Sequence, residues 1–489
     1  MLFNSVEFVF GFVPIVFIAY LLARQVSSAV AKVTILIASL FFYSWWKLEY
    51  LPILLGSILV NYVLYRIIIR CEGKRRHAYT LLGVAFNILL IAYYKYIGFI
   101  LYGVLGLDYQ TVGIEVPILP LAISFFTFQQ LSFLIDANRS DDEYVSLLDY
   151  SCYVSFFPQL IAGPIVRHNE LIPQLKSPKF ERNYLEVGIL LFAIGLFKKV
   201  IIADGMAVWA SQGFSSVADL TTSDSWVAAL SYTFQLYFDF SGYSDMAIGL
   251  GLMFGFKLPM NFDSPYKAVS IADFWRRWHI TLSNWLRDYL YIPLGGNRQG
   301  SVRTYVNLLL TMLIGGIWHG AGWTFVVWGA LHGLALAAHR LWSKLNIGLS
   351  RELSVLTTFM FVVVGWVIFR AASMEDAATV LTSMFGFSEV TIPNAWANAI
   401  AQIGGALRVT IDVSASSNIL PLHAWGVIVV LCIAVLKLPN SMQIMEASLQ
   451  RGVQSRRAWL YVLVGIGFGL SVKRMMETSV PSEFLYFQF

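Results

Sequence analysis

Residues 305–338 read YVNLLLTMLIGGIWHGAGWTFVVWGALHGLALAA. The stretch holds no Lys, Arg, Asp or Glu, and it divides around Gly320–Gly322 into two apolar runs, Tyr305–Gly320 and Trp323–Ala338. Each run approaches the length that bilayer thickness demands of a helix, about 30 Å at 1.5 Å per residue. Strands of a membrane barrel would instead alternate in segments of about ten residues, so continuous runs of this kind mean helices. Similar runs occupy Phe8–Ala23, Val33–Trp46, Leu51–Ile69, Tyr79–Leu105, Val116–Ile135, Tyr184–Ala203 and Trp226–Phe254. Three more follow at Leu353–Phe369, Ala424–Val435 and Ala458–Leu470. The sequence therefore predicts an all-α, polytopic integral membrane protein with about twelve transmembrane helices.

Composition agrees. The chain has 489 residues, 57% hydrophobic and only 13% charged, against roughly 25% charged in soluble domains. So few charges cannot coat a water-facing surface, which excludes a soluble enzyme, a secreted disulfide scaffold and a disordered chain. Nothing divides the chain, so residues 1–489 are expected to form one membrane-embedded unit. The three cysteines, Cys71, Cys152 and Cys432, are far apart and show neither a metal spacing nor a disulfide framework. Packing is their expected role, and neither a metal nor a nucleic acid is expected as a ligand. Met1–Glu7 lacks the basic flank and cleavage site of a removable signal peptide, so the first span is expected to stay.

Basic residues sort onto alternate loops. One set holds Arg70, Lys74, Arg75 and Arg76, then Arg167, Lys176, Lys179 and Arg182, then Arg276, Arg277, Arg287 and Arg298. Arg340, Lys344 and Arg351 continue it, followed by Arg451, Arg456 and Arg457. The intervening loops Gly106–Glu115 and Ser211–Ser225 have none, and Ala371–His423 has only Arg408. The positive-inside bias places the basic set in the cytosol. An even span count then leaves both termini outside, although Lys473 and Arg474 pull the other way.

Two stretches do not read as spans. Tyr153–Val166 is short and broken by Pro158, Gly163 and Pro164, and Ile271–Gly296 mixes tryptophans with arginines. Irregular backbone at membrane depth survives only inside protein or beside a water-filled cavity. Both are expected to be re-entrant or interfacial segments.

Ionisable groups within apolar runs are costly, which makes them functional candidates. Gly315-Gly316-Ile317-Trp318-His319-Gly320-Ala321-Gly322-Trp323 surrounds one imidazole with four glycines, predicting a wide helix break open to a ligand. A histidine bonded to a neighbouring helix, with glycines for packing, fits the same residues. His332 could share that cavity or simply pack. Asp273–Trp285 (DFWRRWHITLSNW) sets His279 beside Arg276, Arg277 and Trp278. Arginine forks and indole faces suit a phosphate-bearing cofactor, and they equally suit lipid headgroups. Asp239 and Asp245 need partners inside their span, among those arginines or histidines or in a structural ion pair. His77, His168, His339 and His423 are expected at the surface.

The stretches Phe156–Pro164 (FFPQLIAGP), Asp273–Asn284 (DFWRRWHITLSN) and Gly315–Trp323 (GGIWHGAGW) resemble membrane-bound O-acyltransferases, in the alginate-type exopolysaccharide O-acetyltransferase branch. The opening MLFNSVEFVFGFVPIV and Pro120–Arg139 are similar to the same branch, so the likeness runs the length of the chain, with core motifs over 117–370. The resemblance implies a helical core with a cytosolic and an outer funnel, and no permanently bound cofactor. It implies transfer of an acetyl group from a thioester, acetyl-CoA, to a polysaccharide hydroxyl across the membrane, with a periplasmic partner. It puts the catalytic histidines at His319 and His279. Beside them, Asn284 and Trp318 are the candidate supports, and Arg276, Arg277 and Trp278 suit the CoA phosphates or, equally, lipid headgroups. Histidine titrates near neutrality, which suits His319 to act as general base or, through an acyl-imidazole, as nucleophile. His279 with Asn284 would orient the donor or stabilise the oxyanion.

The tail 481–489 ends Glu483-Phe484-Leu485-Tyr486-Phe487-Gln488-Phe489. It resembles the aromatic end of the small partner in teichoic-acid D-alanylation, which implies that Tyr486 carries the acyl group. An interfacial aromatic anchor and a protease-site tag, EFLYFQ against ENLYFQ, are the competing readings. Outside this family, a proton-coupled permease built on the same His and Asp groups is the alternative. Within it, an acyl carrier protein could replace acetyl-CoA as donor, docking on Arg276, Arg277 and Arg287, or a lipid could be the acceptor.

Overall fold

A computed structural model describes the chain except residues 109–112, 114, 140–143, 179, 346, 387–390, 394–413, 417–418, 452–457, 479 and 486–489. The fold is built around one helix, Thr222–Met253, 32 residues long and buried along almost its whole length. Thr221 starts it with a capping box: its hydroxyl accepts from Asp224 N, and the Asp224 carboxylate accepts from Thr221 N. The same carboxylate accepts from the backbone of Ile419 and Leu420, tying a distant loop to the helix start.

Glycine decides how closely this central helix packs. A Cβ added at Gly188 would lie 2.6 Å from the carbonyl of Gly249, and one at Gly249 equally close to the carbonyl of Gly188. Gly195 and Gly242 repeat the relation at 2.5 and 2.7 Å. Two glycines seven residues apart on each helix thus bring Arg182–Phe197 and the central helix into backbone contact, running antiparallel. Lipid tails are as apolar as leucine, so such small-residue contact is what holds membrane helices together.

Six helices among the described residues are long and apolar enough to cross a membrane: Glu7–Val26, Leu48–Ile68, Gly73–Tyr96, Gly300–His319, Arg351–Arg370 and Trp459–Glu477. His423–Lys437 with Ser441–Gln450, bent by 42°, makes a seventh if counted as one span. Each of the twelve predicted runs falls on helix, but the number fit to span alone is smaller. Helices buried within protein need no continuous apolar surface, and the central helix carries aspartates for that reason. Val116–Ile135 starts late, since Pro117 and Pro120 keep the chain extended and the helix spans Ile123–Arg139. The described residues include one short parallel strand pair, Thr391–Pro393 with Ser414–Ser416, in an otherwise all-α fold.

The two irregular stretches are present and largely buried. Leu147–Ser155 breaks at Phe156 before the single turn Phe157–Leu160, and Ile271–Gly296 forms two seven-residue helices, Ile271–Arg277 and Ile280–Leu286. The glycines near His319 behave differently from the expected wide break. Gly315 and Gly316 stay within Gly300–His319, and the break is confined to the link before Trp323–Trp342. Gly316 and Gly329 instead let those two helices touch, since a Cβ at Gly329 would lie 2.5 Å from the carbonyl of Met312.

Gly242→Val should lower stability by at least about 1–3 kcal/mol, the usual cost of overpacking. Gly56, whose added Cβ meets nothing within 4 Å, should accept Ala with no loss, since Ala gains roughly 0.5–1 kcal/mol in a helix. Thermal melting of the purified variants checks the contrast; equal tolerance would disprove the backbone contact.

Candidate active site

His279 joins the two short helices and adopts a left-handed conformation, φ 44° and ψ 54°. A non-glycine residue there is strained, and such strain persists only when the surroundings fix it. They do. Ser270 caps the first helix at Asp273 N, and Asp273 accepts from Arg277 Nε at 3.0 Å. Asp263 N donates to the carbonyl of Arg277, and Ile280 N donates to the carbonyl of Asn261. The Asn261 side chain completes the clamp: its Oδ1 accepts from Thr281 N at 3.3 Å and Thr281 Oγ1 at 3.0 Å, and His279 Nδ1 lies 3.1 Å away. Since two donors already fix Oδ1 as an acceptor, His279 Nδ1 carries the ring proton and donates to it. The Nε2 atom of the neutral ring then holds the lone pair.

His319 is the last residue of its helix, and an unexpected group holds that end. Lys95 Nζ donates to the carbonyls of Trp318 at 2.6 Å and His319 at 3.1 Å, while Tyr96 hydroxyl donates to Ile317 O at 2.9 Å. These bonds satisfy carbonyls that a helix end leaves open, and the cation complements the helix dipole. Buried rings fix the imidazole: Trp318, Trp328 and Phe369 lie 4.9, 5.2 and 5.5 Å away, centre to centre.

The sequence-predicted histidines come together in one row. The Trp318 ring lies 6.3 Å from His279 and 4.9 Å from His319; the Trp328 ring lies 5.2 Å from His319 and 4.6 Å from His332. Trp275 Nε1 donates to His332 Nδ1 at 3.2 Å, so His332 packs at the far end of the row with its proton on Nε2. Trp318 stacks on Phe128, which stacks on Trp285. Trp278 stacks on Phe274, buried beside Trp366.

One recess approaches the His332 end of this row and another approaches it at Trp318. A cleft of about 860 Å³ lies between Ser270–Ile271 and His339–Trp342, and its wall residue Phe361 is 5.2 Å from the ring of His332. A smaller recess of about 270 Å³ is lined by Trp46, Tyr50, Phe125 and Glu483, and Phe125 meets Trp318 edge-on at 5.7 Å.

Other expected residues are placed differently. Asp239 pairs with Lys199 at 2.6 Å and Asp245 with Lys198 at 2.7 Å, so their partners are neither the arginines nor the histidines. Arg277 is engaged by Asp273 and Asp263, leaving Arg276 as the exposed guanidinium of the pair. The contact recorded for Asn284 is through its carbonyl, which accepts from Arg167 at 3.4 Å. His168 is buried against the edge of Phe133, not at the surface, because its helix, His168–Lys176, packs against Leu147–Ser155. Nearby, burial raises the Asp288 carboxyl, but hydrogen bonds from Arg287 and Arg167 outweigh it and hold the group below its ordinary value. Tyr486 lies outside the described residues. Asn261, Lys95, Lys198 and Lys199 escaped the sequence reading, although a lysine inside an apolar run is a visible signal.

Residues 12–375 match the family of membrane-bound O-acyltransferases. The chain belongs to that family. It is 40% identical, over 100% of its own length and 98% of the other, to the peptidoglycan O-acetyltransferase of Helicobacter pylori. It is 44% identical to the "Probable alginate O-acetylase AlgI" of Pseudomonas putida, over 80% of this chain and 81% of that one. The teichoic acid D-alanyltransferase of Bacillus subtilis is 27% identical, over 51% of this chain and 68% of the other. The permease alternative is thereby set aside: this membrane protein is an O-acyltransferase. The first of these alignments takes in the tail, which argues against a cleavage tag.

Replacing Asn261 by Ala leaves buried donors of His279 and Thr281 unmade, at about 1–3 kcal/mol. With His279 no longer held, acyl transfer should fall about 10- to 100-fold, measured on folded variant well below its own melting temperature. An unchanged rate would remove Asn261 from the site.

Proposed function

We propose that this O-acyltransferase takes acetyl from cytosolic acetyl-CoA and delivers it, through His319 and Tyr486, to an extracytoplasmic polysaccharide. The observation that carries the reading is the buried row His279–Trp318–His319–Trp328–His332, met by one recess at His332 and by another at Trp318, next to His319. The larger cleft adjoins Arg340 and Lys344, which the positive-inside bias assigns to the cytosol of a bacterial inner membrane. Arg276, exposed on the short helix that starts at the cleft residue Ile271, would be available to the phosphates of a thioester arm entering there. The smaller recess, lined by Glu483 of the tail, faces the other way and would admit the acceptor. The acceptor class rests on the names of the relatives, which act on peptidoglycan and alginate.

In the proposed reaction His319 removes the phenolic proton of Tyr486, and the phenolate oxygen attacks the thioester carbonyl. An O–C bond forms, the C–S bond breaks, and the departing thiolate takes the proton that His319 held. A positioned base of this kind contributes roughly 10²–10⁴ in rate. His279, with its proton turned to Asn261, offers Nε2 as an acceptor, which suits it to orient the donor rather than to stabilise the oxyanion. A periplasmic partner then moves acetyl from the tyrosyl ester to a glycan hydroxyl.

His319→Ala should reduce acetyl-CoA turnover by the purified protein at least about 100-fold and abolish glycan acetylation in cells. Turnover of an acylated carrier protein alone would change the donor, and turnover equal to wild type would defeat the assignment of His319. Mass spectrometry after incubation with donor should find one acetyl ester on the C-terminal peptide. Full glycan acetylation by Tyr486→Phe would exclude the tail as carrier.

A further inference from the structure

Lys199 lies at the heart of a buried cluster that the chemistry above does not use. Its Nζ is 2.6 Å from Asp239 Oδ1, 2.9 Å from Asp204 Oδ1 and 3.0 Å from the carbonyl of Glu483. Both carboxylates turn their second oxygen to the tail as well. Asp239 Oδ2 accepts from Leu485 N at 2.9 Å, and Asp204 Oδ2 accepts from Ser482 Oγ at 2.6 Å. Asn4 Nδ2 donates to the carbonyl of Ser482 at 3.0 Å. Between these contacts the Phe484 ring is buried against Phe240 and Tyr243, at 5.4 and 5.0 Å.

An ion pair that served packing alone would need no partner from the tail. Lys198 with Asp245 shows the difference, since its remaining bond goes to Ser441 on a helix. Lys199 instead brings one ammonium to two carboxylates, and the excess negative charge is met by an N–H and an O–H of the tail. Three of these four hydrogen bonds reach main-chain atoms, at Ser482, Glu483 and Leu485. They fix the path and depth of the segment without reading its side chains, and Phe484 supplies the one deep side-chain anchor. Phe240 in turn lies 4.7 Å from His279, so the anchored segment ends one ring from the histidine row.

We propose that Lys199, Asp239 and Asp204 form a peptide-binding cradle that grips the main chain of residues 482–485 and sets how deep the residues beyond Leu485 reach. Its consequence for catalysis rests on the reading of Tyr486 as carrier; the docking itself does not. Lys199 and Asp239 are positioning residues.

The test uses the full chain, purified, with Cys71, Cys152 and Cys432 replaced by Ala and Leu485→Cys as a reporter, followed by maleimide labelling. In that background residue 485 should be protected. The double variant Lys199→Met/Asp239→Leu removes the two deeply buried charges together and leaves only Asp204, whose side chain is 24% exposed, to be met by water. It should raise the labelling rate about tenfold or more, the change expected on losing charge-assisted hydrogen bonds, and Lys199→Arg should restore most of the protection. Glycan acetylation should fall in parallel. Where the double variant does not melt cooperatively, Phe484→Ala, which leaves every ion pair in place, decides by the same labelling. Unchanged labelling in a folded variant overturns the cradle whatever happens to the glycan. Raised labelling with full acetylation upholds the cradle and removes Tyr486 as carrier.

Discussion

Asp239 and Asp245 enter the apolar interior because Lys199 and Lys198 enter with them. Taking one such charge out of water unpaired costs several kcal/mol, so carboxylates and ammoniums must arrive on neighbouring segments in register. The register is set by the glycines that bring Arg182–Phe197 against the central helix, Gly188 to Gly249 and Gly195 to Gly242. Lys198 and Lys199 follow directly on that contact, where the backbone widens into a π-helical turn over Lys198–Ala203. Close backbone packing and charge pairing are thus two sides of one arrangement. The central helix can be buried on every side because its polar groups are met before it is covered.

The same requirement shapes the histidine row. Each imidazole described here is held by its surroundings, not by its own helix: Asn261 orients His279, Lys95 and Tyr96 secure the helix end at His319, and Trp275 binds His332. Indole rings separate the imidazoles, and two recesses reach the row, one through Phe361 at His332 and one through Phe125 at Trp318.

Much of this was legible in the chain. The apolar runs all became helix, and the two stretches broken by proline, glycine and arginine became irregular buried segments. His279 and His319, chosen for their motifs, did come together across Trp318. Less legible were the partners. Lys95 lies 223 residues from the carbonyl it bonds at Trp318, and Asn261 reaches back to the central helix at Ser244. Lysines 198 and 199 were visible as charges within an apolar run, but nothing local says which carboxylate each will meet. Which of the helical runs cross the bilayer was not legible, because hydropathy does not tell a helix wrapped in protein from one wrapped in lipid.

Sequence alone determined the solvent and the class of fold: too few charges for water, runs of bilayer length, and motifs that gave the acyltransferase family. Those properties are local, set by composition and by spacing along one strand of chain. Tertiary structure decided what each polar residue is for. It made Asp239 a partner of Lys199 and the tail instead of a proton relay, and turned the glycines beside His319 from a wide opening into a packing surface. Pairing energy depends on distance in space, falling off within a few ångströms, and only the folded chain fixes those distances.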